Sequence, residues 1–287
     1  MQRPEWAFAS SIWEMWAESP LSPATEAGTR RAMASAVPVL WQFRQSHYNE
    51  KARWALDWKR IRHERRSLLP GLHVPRVMWM TRQKSVPVLV LDGRAIADST
   101  RIIAAVEALR PEPPLYPAAP AERRRALELE EFFDEELGPH LRRSVFHDVL
   151  PHTDYASALM TTECSPLVRT MYRVAFPALR PVFRMDMRID DAGAQLGREK
   201  IVTALDRIEA ELQPSGYLVG EHFSVADLTA AALLSPLVSP PEYPYPLPGP
   251  WPEPFASFRT SVAGHRAFAW ASEMYRRHRG TSAEISA

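Results

Sequence analysis

The side chains best known for catalysis are thinly spread here, and most of them are set aside by their surroundings. Cys164 is the single cysteine of 287 residues, so no internal disulfide and no cysteine-rich zinc site can form. Its thiol reads as a small inert hydrophobe. His47, His63 and His73 lack ligand spacing, and His147 and His152 stand five apart, off a shared helix face, so no metal site is expected. Glu130, Glu131, Asp134, Glu135 and Glu136 look like paired carboxylates, but on a charge-rich helix they read as a solvated face. Trp54 and Trp58, at i and i+4, read as core. What remains are polar groups at element boundaries: Ser46 between a strand and a helix, and Asp98-Ser99 before another helix. With them goes Val86-Pro87, at the start of a buried apolar run. Proline cannot donate to a sheet ladder, so it belongs at a strand's first residue or an edge, and this one is a candidate for a cis bond.

Two kinds of periodicity frame these positions. Val37, Val39, Trp41 and Phe43 alternate as a half-buried strand. Residues 50–60 follow as a helix, 64–69 as an edge-like strand and 74–81 as a short helix. The run 86–91, Asp92-Gly93 and 95–97 make a hairpin, because Asp-Gly supplies the positive φ that its turn needs. A helix over 99–109 completes a β-α-β-α-β-β-α order. Residues 112–120 form a stiff proline-dense linker. Beyond it the pattern is helical, over 121–137, 191–212 and one or two closing helices in 255–279. The surest helix start is Phe223-Ser224-Val225-Ala226-Asp227-Leu228: Ser224 as N-cap, Asp227 closing a capping box, Phe223 stapling onto Leu228.

Composition narrows the function classes. Thirty-five basic and 34 acidic residues give a net charge of +1, with no one-sided basic excess for nucleic acid or an anionic membrane. No apolar run approaches the ~18 residues of a membrane span. A reducing, cytoplasmic setting is expected. Residues 1–36 carry Trp6, Trp13 and Trp16 without a regular period and lack a secretory signal's pattern. They read as a flexible extension, or as an amphipathic segment packing through Trp6, Ile12, Trp13 and Trp16.

Ser46-His-Tyr-Asn-Glu-Lys-Ala-Arg-Trp-Ala-Leu-Asp57, Ser85-Val-Pro-Val-Leu-Val-Leu-Asp-Gly93 and Ala97-Asp-Ser-Thr100, followed by the linker and the Ser224 capping motif, together resemble the soluble glutathione S-transferases. The resemblance runs from Val37 to the carboxyl end. It implies an α/β thioredoxin-like domain over 37–111 and an all-α domain over 121–287. It implies a cytoplasmic homodimer acting in detoxification, with glutathione as co-substrate and a small hydrophobic electrophile as partner. By the same match, Ser46 contacts the glutathione sulfur as a hydrogen-bond donor. Val86, before Pro87, pairs its backbone with the cysteinyl unit. Asp98 and Ser99 grip the γ-glutamyl group, Ser99 at a helix N-terminus that attracts a carboxylate.

Some positions depart from the pattern or stay open. Ser46 and Asn49 stand where a dithiol member carries cysteines, so glutaredoxin-type exchange has no sulfur to use. For the glycine carboxylate, Lys84, Gln83, Arg82 and Arg76 are all candidates, and Tyr48 competes with Ser46 for the sulfur. Two alternatives to transfer stand beside it: a non-catalytic binding module, and a glutathione-dependent isomerase, lyase or dehalogenase, which would differ only in the second pocket. That pocket is expected from residues 144–188 and the proline stretch near Tyr243 and Tyr245.

Overall fold

The computed structural model describes residues 37–285, so both readings of residues 1–36 lie outside the described residues. The first part of the described chain runs β1 (Val39–Gln42), α1 (His47–Trp58), β2 (Glu64–Ser67), α2 (Val74–Thr81), β3 (Val88–Leu91), β4 (Arg94–Ala97) and α3 (Ser99–Leu109). The strands lie in the order β2-β1-β3-β4, with β1 parallel to β2 and antiparallel to β3. β3 and β4 turn through Asp92-Gly93, both at positive φ (48° and 78°), as the hairpin pattern requires. The Val86-Pro87 bond is cis. This is the thioredoxin-like arrangement expected from the sequence.

One expectation about β1 is corrected. Leu40 and Gln42 are the buried side chains, while Val39 and Trp41 turn to the opposite face. Gln42 can sit inside because its amide is satisfied at both ends. Its Nε2 donates to the Tyr245 hydroxyl at 3.0 Å, and its Oε1 accepts from Arg53 at 2.8 Å.

The second part is helical: α4 (Pro120–Phe132), a π-helical turn (Phe133–Leu137), α5 (Gly138–Val149), α6 (Thr153–Met160), α7 (Pro166–Asp186), α8 (Asp191–Glu211), α9 (Val225–Val238), α10 (Glu253–Val262) and α11 (Arg266–His278). The proline-dense linker is more than a spacer. Leu115 and Tyr116 are buried, and the Leu115 amide and carbonyl bond to Glu107 and to the Val225 amide. α9 runs through the core with nearly every side chain buried, and its capping box forms as expected. Phe223 and Leu228 share that core with Trp54 and Ala55 of α1. Asp227 also accepts from the Leu218 amide at 2.8 Å, and burial lifts its carboxyl to about 6 despite those bonds.

The carboxylate-rich helix departs from its expected solvated face. Glu130 is buried and ion-paired with Lys51 of α1 at 2.8 Å, and Asp134 joins them at 2.5 Å. The Thr100 hydroxyl lies within hydrogen-bond distance of both carboxylates, at 3.0 and 2.8 Å, with its one hydrogen to give to either, and it accepts from Lys51 at 2.8 Å, so the group ties α1, α3 and α4 together. Glu131 and Glu135 stay exposed.

Candidate functional site

The loop between β1 and α1 is held from beneath by charge. Arg53, one turn and a half into α1 and fully buried, donates to the carbonyls of Phe43 (3.2 Å) and Ser46 (3.4 Å), to Gln42, and to the Tyr243 hydroxyl. Glu50 neutralises it at 2.7 Å, and Arg279, past the end of α11, reaches Glu50 at 2.6 Å and Asp57 at 2.8 Å. Tyr243 and Tyr245 therefore support this loop from the far side, although the sequence suggests them as part of a substrate pocket.

Ser46 sits on top of that support as the N-cap of α1, half-buried, its Oγ accepting from the Asn49 amide at 3.4 Å. Among the described residues the hydroxyl hydrogen has no acceptor, so it is free to donate. Asp98 is the N-cap of α3, with φ 79° and Oδ1 accepting from the Arg101 amide at 3.1 Å. Ser99, at the first helical position, is buried. Val86 precedes the β3 ladder, and among the described residues its backbone makes no hydrogen bond. Thus Ser46, Val86 and the Asp98-Ser99 pair are each set at the end of an element with polar groups unspent or only lightly used.

Tyr48 points elsewhere. Its hydroxyl donates to the Asp134 carbonyl at 2.6 Å, and burial beside Asp134 pushes its ionisation well above the usual phenol range. Gly138 is required there, because a Cβ on it would collide with the Tyr48 oxygen. Lys84 is exposed and pairs with Asp186 of α7. Arg76 lies on the other face of the sheet, its guanidinium 4.7 Å from the Trp41 ring centre and 5.6 Å from that of Trp79. Arg76 and these two rings belong to a cleft of about 400 Å³ with Val39, Arg66 and Val90, across the sheet from Ser46.

On the Ser46 side a second, narrower cavity opens between α1 and the helical part. Leu141, Val145, Phe146, Val149, Leu159 and Phe255 give it apolar walls, and its polar members are Gln45, His47, Arg142 and Tyr155. His47 is fully buried, and desolvation, with the Arg142 charge adding to it, lowers its pKa to about 3 against a bond to the Gly138 carbonyl. Its imidazole is therefore neutral, and Nε2 has no partner among the described residues. The Arg142 guanidinium makes no ion pair or hydrogen bond among the described residues. The sequence marks neither His47 nor Arg142 as part of a pocket, because both lie outside the stretch 144–188 from which a pocket is expected; Val145, Phe146, Val149, Tyr155 and Leu159 come from that stretch.

Residues 40–114 match the family model described as glutathione S-transferase, N-terminal domain, and residues 190–259 the one described as glutathione S-transferase, C-terminal domain. Among curated proteins, the chain is similar to the probable maleylacetoacetate isomerase of Caenorhabditis elegans, 24% identical over 206 residues, which is 70% of this chain and 79% of that protein. Among solved structures, it is similar to a glutathione S-transferase of Methylobacterium radiotolerans in complex with glutathione sulfonate. That pair is 21% identical with a TM-score of 0.51, over 83% of this chain and 95% of the other. A maleyl pyruvate isomerase, a bacterial glutathione S-transferase in the zeta class, is 19% identical with a TM-score of 0.50, over 83% and 98%. At these identities the structural likenesses speak for the fold.

Proposed function

Because the chain belongs to the soluble glutathione S-transferase family, we propose that it is a glutathione-dependent isomerase of a small, carboxylate-bearing substrate with a cis double bond conjugated to a carbonyl. The observation that carries this reading is Arg142, a guanidinium without an acid partner among the described residues, at a mostly apolar cavity whose lining includes Gln45 and His47 on either side of Ser46. A pocket for a purely apolar electrophile gains nothing from a half-buried cation, whereas a carboxylate would meet it with charge-assisted hydrogen bonds. The names of the Caenorhabditis elegans relative and of the zeta-class structure, both isomerases of maleyl compounds, support the same reading.

The residues present fit glutathione. The unpaired backbone of Val86 suits an added strand, the α3 N-terminus at Ser99 suits a carboxylate, and Asp98 suits the α-amino group. Lys84 is our candidate for the glycine carboxylate, and reaching it means leaving Asp186. When bound, glutathione supplies a thiolate that adds to a polarised double bond and departs again, leaving rotation about the carbon–carbon bond in between.

The chain's own part is to favour the thiolate and to hold the substrate. A free thiol has a pKa near ~8.5, and lowering it by two units takes ~2.7 kcal/mol. The Ser46 hydroxyl donating to a charged acceptor contributes about 1.5–3 kcal/mol, and the α1 N-terminus adds a smaller amount. Arg142 orients the substrate carboxylate, neutral His47 adds no competing charge, and the apolar walls exclude water. The cavity is only about 30 Å³, so seating a substrate requires side chains at its rim to turn aside.

Transfer of glutathione to a small hydrophobic electrophile is the second reading, favoured by the apolar walls of the same cavity. A cytoplasmic homodimer belongs to either proposal. The deciding assay follows a cis keto acid of the maleyl type by NMR with catalytic glutathione. Conversion to the trans acid with glutathione unconsumed is the expected result. Stoichiometric thioether formation would assign a transferase instead, and retention on immobilised glutathione without turnover a binding module.

A further inference from the structure

Glu50, Trp54 and Asp57 stand at i, i+4 and i+7 of α1, so they share one face of it. All three are buried, and all three meet the same few residues at the end of the chain. The Trp54 indole donates to the His278 carbonyl at 3.0 Å, and Arg279 reaches Glu50 at 2.6 Å and Asp57 at 2.8 Å. The residues that follow keep to the same anchor. Asp57 Oδ1 accepts from the Ala283 amide at 2.8 Å and from the Ser282 hydroxyl at 3.4 Å. The His63 amide donates to the Ala283 carbonyl at 3.4 Å, and the Ile285 amide donates to the His63 carbonyl at 2.9 Å. Glu284 pairs with Arg65 at 3.5 Å. Residues 279–285 thus lie as a strap over the end of α1 and the approach to β2.

Glu50 is shared between this strap and the Ser46 loop. Its Oε2 accepts from Arg53 Nε at 2.7 Å, and its Oε1 accepts from Arg279, with the Tyr275 hydroxyl 3.5 Å away. Every N–H of Arg53 is spent: Nε on Glu50, Nη1 on Gln42 and the Phe43 carbonyl, Nη2 on the Ser46 carbonyl and the Tyr243 hydroxyl. Without Arg279, Glu50 Oε1 keeps only the long contact to Tyr275, in a buried site where an unsatisfied carboxylate oxygen is costly. Nε and Nη2 form the fork that grips a carboxylate with both oxygens. The ready remedy is therefore for Glu50 to draw Nη2 off the Ser46 carbonyl, the longest of the Arg53 bonds at 3.4 Å. We propose that Arg279, anchored by the strap, is a positioning residue for the thiol chemistry: by satisfying Glu50 it leaves Arg53 to fix the Ser46 backbone, and with it the direction of the Ser46 hydroxyl. The proposal rests on Ser46 being the donor to the glutathione sulfur. Arg279 itself touches neither Ser46 nor the cavity beside it.

Thiolate absorbance of bound glutathione against pH, in the full chain, tests this with Arg279→Gln, Ser46→Ala and the double variant. Arg279→Gln should raise the apparent pKa of the bound thiol by about one unit, a roughly tenfold smaller thiolate fraction well below that pKa. At about pH 6 the glutathione dissociation constant should stay within about twofold, because the groups at Val86 and Asp98-Ser99 are untouched. The double variant should match Ser46→Ala alone, since a hydroxyl that is gone cannot be misdirected. Shifts that add in the double variant overturn the proposal. So does an unmoved thiol in Arg279→Gln when Ser46→Ala moves it. An unmoved thiol in Ser46→Ala overturns the reading of Ser46 and this proposal with it. Ala283→Pro is the milder variant, removing the amide that Asp57 accepts and leaving every charge in place. It should shift the thiol in the same direction by about half a unit, and not at all when Ser46 is already alanine. Circular dichroism melts report folding. Should Arg279→Gln fail to fold, Ala283→Pro decides alone, and an unshifted thiol there overturns the proposal.

Discussion

The ammonium of Lys51, on α1, lies 2.8 Å from the carboxylate of Glu130, on α4, and both side chains are buried. Desolvation works against both charges, but Glu130 and Asp134 together hold the Lys51 pKa above its ordinary value, so the lysine stays charged. Lys51→Met leaves Glu130 and Asp134 facing each other without a cation, and it should destabilise the protein by about 3–5 kcal/mol. Lys51→Met combined with Glu130→Leu should recover much of that loss. Urea denaturation of the two variants measures both; equal stability of the single variant and the wild type would refute the pairing.

Much of this framework is legible in the sequence because local signals agree with the fold. Asp92-Gly93, the Ser224–Asp227 box and Val86-Pro87 each have a short-range chemical reason, and each sits where expected. Glu130 escapes such reasoning because its partner is 79 residues away, on a helix that no local pattern connects to it. Gln42 escapes it for the same reason, being satisfied by Arg53 and Tyr245. The cavity wall is legible only in part: Val145, Phe146, Val149, Tyr155 and Leu159 fall in the stretch 144–188 from which a pocket is expected, whereas Arg142 and His47 are ordinary helix residues until α5 is laid against α1.

Arg142 provides the sharpest test of substrate class. A charge-assisted bond to a carboxylate is worth about 1.5–3 kcal/mol, roughly tenfold to a hundredfold in affinity. Arg142→Gln should therefore raise KM for an acidic cis substrate by that factor. It should leave turnover of an uncharged aromatic halide within about twofold, since no carboxylate is lost there. Steady-state kinetics with both substrates decide it, and an equal effect on the two would remove Arg142 from carboxylate binding.

His47 should make stability depend on acid. Its pKa falls from 6.5 in the unfolded chain to about 3 in the fold, so the unfolded state binds the extra proton between those values. The contribution is whole above pH 6.5 and is lost as pH drops towards 3, by up to about 1.4 kcal/mol per pH unit. His63, lowered to about 4, acts in the same sense, and Asp227, raised to about 6, acts against them. The clean measurement is thus the stability difference between wild type and His47→Asn across roughly pH 7.5 to 4.5. It should shrink steadily below pH 6.5, and a constant difference would mean that His47 is not held neutral.

Ser46 and the Asp98-Ser99 pair cap different helices, and their variants should fail in different ways. If the Ser46 hydroxyl donates to the bound thiolate, Ser46→Ala leaves glutathione affinity nearly unchanged. It raises the apparent pKa of the bound thiol by about one to two units, the equivalent of a lost charge-assisted bond, and lowers kcat at about pH 6.5. Ser99→Ala removes a contact made equally in ground and transition states, so it chiefly raises KM for glutathione. Asp98→Asn does the same, more severely, because it removes the charge facing the α-amino group. It keeps a side-chain oxygen for the Arg101 amide, so the α3 cap survives and the loss reports on binding. As the two sites share no side-chain contact among the described residues, the effects of Ser46→Ala and Ser99→Ala should nearly add in the double variant. Thiolate absorbance against pH, read with a pH–rate profile for each variant, separates the roles. A bound thiol whose pKa does not move in Ser46→Ala would shift the activation to the Asn49 amide at the α1 N-terminus, because Tyr48 already donates to Asp134.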